Sequence, residues 1–324
     1  MKKILVSLLM VLFVASAVFA NGSAEAKTPG QEHYELILGT AGTSGTYYVV
    51  GAAMGASINK NSQMLNVIVQ PTKGSMENLN LANSNEIQLG FSNSDGVYWA
   101  ANGTGIFAKA GKLNIKAVMN LYRSQAQMVT LKNSGIKTYG DLKGKKVNLG
   151  PSGQTIVEVS KSVLRAYGID PEKDVTPFYL AVDEGLSKLK DGEIDASFFV
   201  AAAPTAGVVN IASTTDIQLV DIDKPILEKV AKDYPFYGKG VIPAGTYKGQ
   251  DKDVNVVEMV TEIFAGADVP EAAVYEFVKQ ALETQPQYVN AHVSIQEIQP
   301  EFASQCVTEL HPGALKYYKE KGLR

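Results

Sequence analysis

LILGTAGTSGTYYVVG, Leu36 to Gly51, begins as a short apolar run and ends in a loop of glycines and hydroxyls. Tyr47, Tyr48 and the small-residue segment Gly51-Ala52-Ala53-Met54-Gly55-Ala56 follow. This order predicts a strand, a tight turn and a helix start. Gly42 and Gly45 allow a sharp turn and a close approach of backbone to a ligand. Thr43, Ser44 and Thr46 are suited to cap the helix or to donate hydrogen bonds. The free N–H groups of a helix start favour an anion, above all a carboxylate. A capped turn without a ligand would have the same sequence, so a second turn of this kind carries weight.

That second turn follows the strand predicted at Lys145-Lys146-Val147-Asn148-Leu149. Gly150-Pro151-Ser152-Gly153-Gln154-Thr155 leads from it into a periodic helical stretch, Ile156 to Tyr167. Two such turns imply two α/β lobes whose helix starts face one cleft. The second is not a phosphate-binding P-loop, because Gln154 stands between Gly153 and Thr155 where the lysine would be.

Met1-Lys2-Lys3 and the apolar run Ile4 to Phe19 have the form of a secretory signal. Val18 and Ala20 mark a cleavage pattern, and Ala24 and Ala26 offer other ends. Residues 1–26 are therefore expected to be the signal and the start of a linker, NGSAEAKTPG at Asn21 to Gly30. The apolar run is short for a membrane anchor. No cysteine is near enough to take a lipid, and the single cysteine, Cys306, cannot form an internal disulfide. An exported, unlipidated, periplasmic chain is expected. Loss of Lys2 and Lys3 leaves 28 of the 30 basic residues against 33 acidic ones, a net charge near −5 that argues against a nucleic-acid partner.

Apolar strands alternate with amphipathic segments along most of the chain, the pattern of βαβ units and largely parallel sheets. Expected strands are 65–70, 87–91, 115–121, 127–131, 146–149, 175–179, 196–200, 217–220 and 254–264. Expected helices include 75–83, 182–190, 204–211, 225–232, 271–284 and 295–306. The chain should leave the first lobe near Ser124 and return near Asp221. This gives one lobe from 31–123 with 222–324, and another from 124–221.

Several blocks together point to a family. They are GTAGTSGTYYVVG at Gly39–Gly51, TKGSMENLNL at Thr72–Leu81, SGIKTYGDLKGKKVNLGPSGQT at Ser134–Thr155, DGEIDASFF at Asp191–Phe199, IPAGTYKGQ at Ile242–Gln250 and ELHPGALKYYKEKG at Glu309–Gly322. In this order the chain resembles the TAXI-type solute receptors of tripartite ATP-independent periplasmic (TRAP) transporters. The resemblance implies a type II-like, two-lobe periplasmic binding protein, each lobe a sheet flanked by helices, with two interlobe crossovers. It also implies a cleft ligand and delivery to membrane permease subunits driven by an ion gradient. Relatives commonly carry G-x-x-G-S-G-T in the second loop. Here Gln154 replaces a small residue, which bears on the ligand class.

The expected ligand-binding set begins with Thr43, Ser44, Gly45, Thr46 and Tyr47. Lys73, Gly74 and Ser75 add a third strand-to-helix turn, in which Ser75 is either a site residue or a plain N-cap. Asn93 and Asp95 follow the third strand, at the sheet end where sites are built; Asp95 either meets a ligand ammonium or caps the helix at Gly96. The second lobe would add Ser152, Gly153, Gln154 and Thr155, with one of Phe198 and Phe199 facing the ligand. Arginine occurs only at 123, 165 and 324. Arg123 is the one placed to clamp a carboxylate, unless it is a solvated hinge residue, and Lys73 is the alternative cation.

Enzyme readings are weak. His33, His292 and His311 lack metal-ligand spacing. Ser44 has no nucleophile elbow around it. No cofactor or metal is expected. The ligand expected is a small organic anion, either an amino acid such as glutamate or glutamine, or a dicarboxylate or keto acid. Two rival readings are a periplasmic ligand sensor for a membrane receptor and an enzyme on a binding-protein scaffold.

Overall fold

The computed structural model describes residues 32–43, 45–152 and 154–324. The expected signal and linker lie outside the described residues, as do Ser44 and Gly153. The chain opens with β1 (Tyr34–Gly39), α1 (Thr46–Asn61), β2 (Leu65–Gln70), α2 (Ser75–Asn83), β3 (Leu89–Asn93) and α3 (Ser94–Asn102). It continues through β4 (Ile115–Leu131), β5 (Lys146–Asn148), α4 (Ile156–Ala166), β6 (Thr176–Phe178), α5 (Val182–Lys190), β7 (Ala196–Ala201), α6 (Ala206–Thr214) and β8 (Ile217–Leu219). It closes with α7 (Lys224–Asp233), β9 (Tyr237–Ile242), β10 (Val254–Gly266), α8 (Glu271–Glu283), α9 (Gln285–Tyr288), α10 (Pro300–Ala303) and α11 (Pro312–Glu320).

The strands form one sheet in the order β2-β1-β3-β10-β4-β7-β5-β6, with β8 also on β4 and β9 also on β10. Pairing is parallel among β1, β2 and β3 and among β5, β6 and β7. It is antiparallel wherever β4 or β10 takes part, so the sheet is mixed. The two strands expected at 115–121 and 127–131 are one strand of 17 residues. Its partner changes at Gln125, which lies opposite Glu258 of β10 on one side and Ala201 of β7 on the other. β10 also touches two cores. Val254 and Val256 pack with Val129, Phe199 and Val208 in one core, whereas Ile263 and Ala265 pack with Leu36, Val50 and Phe277 in another.

The small-residue run of α1 has a packing reason. A Cβ at Gly51 would come within 2.8 Å of Thr40, and one at Gly55 within 2.9 Å of Val69, so only glycine lets the helix lie this close to the sheet. The expected helix 295–306 is instead a 3-10 turn, Val293–Glu297, followed by the single turn α10. Pro300 causes the break: it forces Gln299 into extended backbone, φ −116° and ψ 146°. β9 escaped the sequence reading because Gly238 and Gly240 interrupt its apolar alternation; it pairs along one side only, with β10.

Candidate functional site

Each flanking strand of the sheet runs into a helix, and the N-caps of five helices line one cleft of about 990 Å³. They are Gly45 of α1, Gly74 of α2, Asn93 of α3, Thr155 of α4 and Ala181 of α5. In none of the five does the N-cap side chain bond the helix's own N–H groups. Helix-start N–H groups have no intrahelical acceptor, and each helix places a partial positive charge at this end. Five such ends meet at one cleft and offer N–H donors to an anion, although the first turns of four of these helices also hold acidic residues, Glu77, Asp95, Glu158 and Asp183 with Glu184. Gly74 sits at φ 97° and ψ −156°, a conformation open essentially to glycine alone, which brings the start of α2 to the cleft.

Ten residues of the expected set line the cleft: Gly45, Thr46, Tyr47, Lys73, Gly74, Ser75, Asn93, Ser152, Gln154 and Thr155. The Tyr47 hydroxyl donates to Asn93 Oδ1 at 2.9 Å and lies 3.5 Å from Ser75 Oγ. Its ring packs against Phe91, with centroids 5.2 Å apart. Burial pushes the Tyr47 phenol up to about 12, so it remains a neutral donor at any physiological pH. Lys73 is the only cationic side chain among the described cleft residues; Glu77 and Glu86 of the lining are acidic.

Four expected residues are placed elsewhere. Thr43 is exposed and does not line the cleft. Phe198 is fully buried in the core, as is Phe199 on the opposite face of β7; the cleft meets Val200, Ala201 and Ala202 instead. Arg123 is engaged by two carboxylates, Nε to Glu258 at 3.1 Å and Nη1 to Glu297 at 3.3 Å. Its guanidinium stacks 3.8 Å above the Phe302 ring, away from the cleft. Asp95 is completely buried: Oδ1 accepts from the Gly96 N–H at 2.6 Å and Oδ2 from the Tyr237 hydroxyl at 3.3 Å. That burial pushes its carboxyl up to about 7, the Gly96 and Tyr237 hydrogen bonds pulling the other way. The contact from outside α3 comes from Tyr237, the first residue of β9.

The cleft also has lining residues that the sequence reading did not include. Tyr122 and Ser124 come from β4, Thr261 from β10, and Ala181 and Val182 from the start of α5. Period-two alternation in a strand puts Tyr122 and Ser124 on one face and Arg123 on the other, so this part was readable had 115–131 been taken as one strand. Among the described residues, no group of three or more His, Cys, Asp or Glu could hold a metal, and no helix is long and apolar enough to cross a membrane.

A family model described as the NMT1-like family matches residues 38–322, nearly the whole described chain. The chain belongs to the NMT1-like family. This NMT1-like chain is also similar in fold to the periplasmic aliphatic sulphonate-binding protein SsuA of Escherichia coli, at 15% identity and TM-score 0.50, covering 88% of this chain and 78% of that one. The alkanesulfonate-binding SsuA of Xanthomonas axonopodis pv. citri, bound to MOPS, matches at 12% identity and TM-score 0.50, covering 82% and 80%. The mixed sheet with its flanking helices is the periplasmic binding protein fold.

Proposed function

We propose that this chain is an exported solute receptor that captures a small organic anion in the five-helix cleft. The ligand class is an amino acid such as glutamate or glutamine, or a dicarboxylate or keto acid. The observation that carries this reading is the convergence on a single cleft of five N-caps, none with a side chain that caps its own helix. The first lobe comprises residues 31–123 with 222–324, and the second residues 124–221. The ligand meets α1, α2 and α3 from the first lobe and α4 and α5 from the second, and closure follows because only the closed form offers both sets.

Delivery to TRAP-type permease subunits is supported by the ordered motif blocks from Gly39 to Gly322, and periplasmic residence by the signal-like start of the chain. The protein binds its ligand and releases it unchanged. The test is a thermal-shift screen of the purified mature chain against glutamate, glutamine, 2-oxoglutarate and succinate. Ligand at a hundredfold its Kd adds about 2.7 kcal/mol and raises Tm by several degrees. A protein stripped by unfolding and refolding that responds to none of these anions would not be such a receptor.

A further inference from the structure

Tyr122 has a buried hydroxyl that the fold leaves unanswered. The residue is 2% exposed, and its phenolic oxygen has no hydrogen-bond partner among the described residues. Buried polar groups in native proteins are nearly always paired, so an orphan on the wall of a binding cleft calls for a partner from outside the chain. A phenylalanine would fill the same volume without the orphan. Tyr122 lies on β4 directly opposite Thr261 of β10, and both line the cleft. Just beyond this pair the register shifts: Glu262 faces Asn120, and Leu121 is left as the extra residue. Such bulges turn side chains at functional sites.

The neighbouring groups determine what the partner is. Tyr47 has already given its hydrogen to Asn93 Oδ1, which leaves the NH₂ group as what Asn93 offers the cleft. The Tyr122 phenol, the Thr261 hydroxyl and the Asn93 amide are neutral donors. Arg123, the cation nearest in sequence, is occupied by Glu258 and Glu297. Among the described lining residues the β4–β10 wall carries neutral donors and no carboxylate, the acidic Glu77 and Glu86 belonging to α2 and the loop after it, and such a wall suits an oxyanion and not an ammonium.

We infer, on the footing of the anion-binding reading above, that Tyr122 is the specificity-determining donor at the β4–β10 wall and gives its phenolic hydrogen to a carboxylate oxygen of the bound solute.

The test compares wild type with Tyr122→Phe, which removes only the oxygen, in calorimetric titrations with 2-oxoglutarate and L-glutamate. Tyr139→Phe is the control, because Tyr139 also has a buried hydroxyl without a partner but does not line the cleft. The expected result is a loss of affinity of about tenfold or more in Tyr122→Phe, with the ligand-free Tm unchanged or raised. Tyr139→Phe should bind as wild type does. Equal affinity in wild type and Tyr122→Phe overturns the inference and leaves the receptor reading intact. An equal loss in both variants, or a lowered ligand-free Tm in Tyr122→Phe, makes the hydroxyl structural and overturns it as well. Wild type that binds neither probe overturns the anion reading and the inference together.

Discussion

Replacing Glu262 with glutamine should make this protein more stable in alkaline solution. Glu262 is fully buried on β10, its backbone between Ser92 of β3 and Asn120 of β4, and neither carboxyl oxygen has a hydrogen-bond partner among the described residues. Burial pushes the carboxyl from the usual 4.5 up to about 8, against the pull of the Cys306 thiol, while the charge of Asp95 adds to the rise. The native state therefore keeps a proton that the unfolded chain gives up near pH 4.5. The stability contributed by this group is complete below that pH and is lost as pH rises toward and through 8. At 1.36 kcal/mol per unit the ceiling is about 5 kcal/mol, and relaxation around a buried charge brings the expected loss to about 2–3 kcal/mol between pH 5 and 8.5. Glu262→Gln removes that slope. Near pH 5 it should match wild type or fall about 1 kcal/mol below it, since the amide is also unpaired. At pH 8.5 it should be the more stable protein by about 2 kcal/mol, or roughly 4–8 °C in Tm. Urea unfolding and thermal melts across this range measure it. Asp95, raised to about 7, contributes in the same direction, so the variant flattens the pH profile without levelling it. Parallel profiles for wild type and variant would refute the assignment of a protonated, unpartnered Glu262.

Arg123→Met should cost about 1 kcal/mol, because its two ion pairs are partly exposed, and the cost should shrink in high salt. Anion affinity measured by calorimetry should stay within about threefold of wild type; a hundredfold loss in a folded variant would make Arg123 a ligand clamp after all. Gly74→Ala should destabilise by about 1–3 kcal/mol from backbone strain alone, since a Cβ there meets nothing closer than Ala41 at 3.9 Å. The same variant should bind anions more weakly through displacement of the α2 N-terminus, and unchanged Tm and affinity would contradict the φ of 97°.

The turns were legible because their chemistry is local. A strand, a glycine- and hydroxyl-rich turn and a helix start lie within one short stretch at Gly45, at Gly74 and at Thr155, and all three reach the cleft. The start of α5 was missed because Ala181 and Val182 carry no side-chain signal; only their backbone matters there. Arg123 looked like a clamp because its partners are far away in sequence: Glu258 comes from β10 and Glu297 from a 3-10 turn, and pairing across such distances leaves no periodicity to read. Asp95 looked available for the same reason, since its cover arrives from Tyr237. Tyr122 and Thr261 were hidden by the division of β4 into two strands, which concealed that its centre forms part of the cleft wall.

The two buried carboxyls bear on the proposed binding of an anion in the cleft. Anion binding by helix ends and hydroxyls depends on oriented dipoles, which are weaker than full charges and easily cancelled by a carboxylate behind them. Asp95 and Glu262 are both near enough to Tyr47 for their charges to raise its phenol further. If both were ionised, two negative charges would stand near Tyr47. Burial prevents this by making ionisation costly, which holds Glu262 protonated at neutral pH and Asp95 close to its midpoint. On the proposed reading, the same burial that weakens the protein in alkali keeps the cleft receptive to an anion. A bound anion raises the cost of ionising either group further, so occupancy and protonation favour one another.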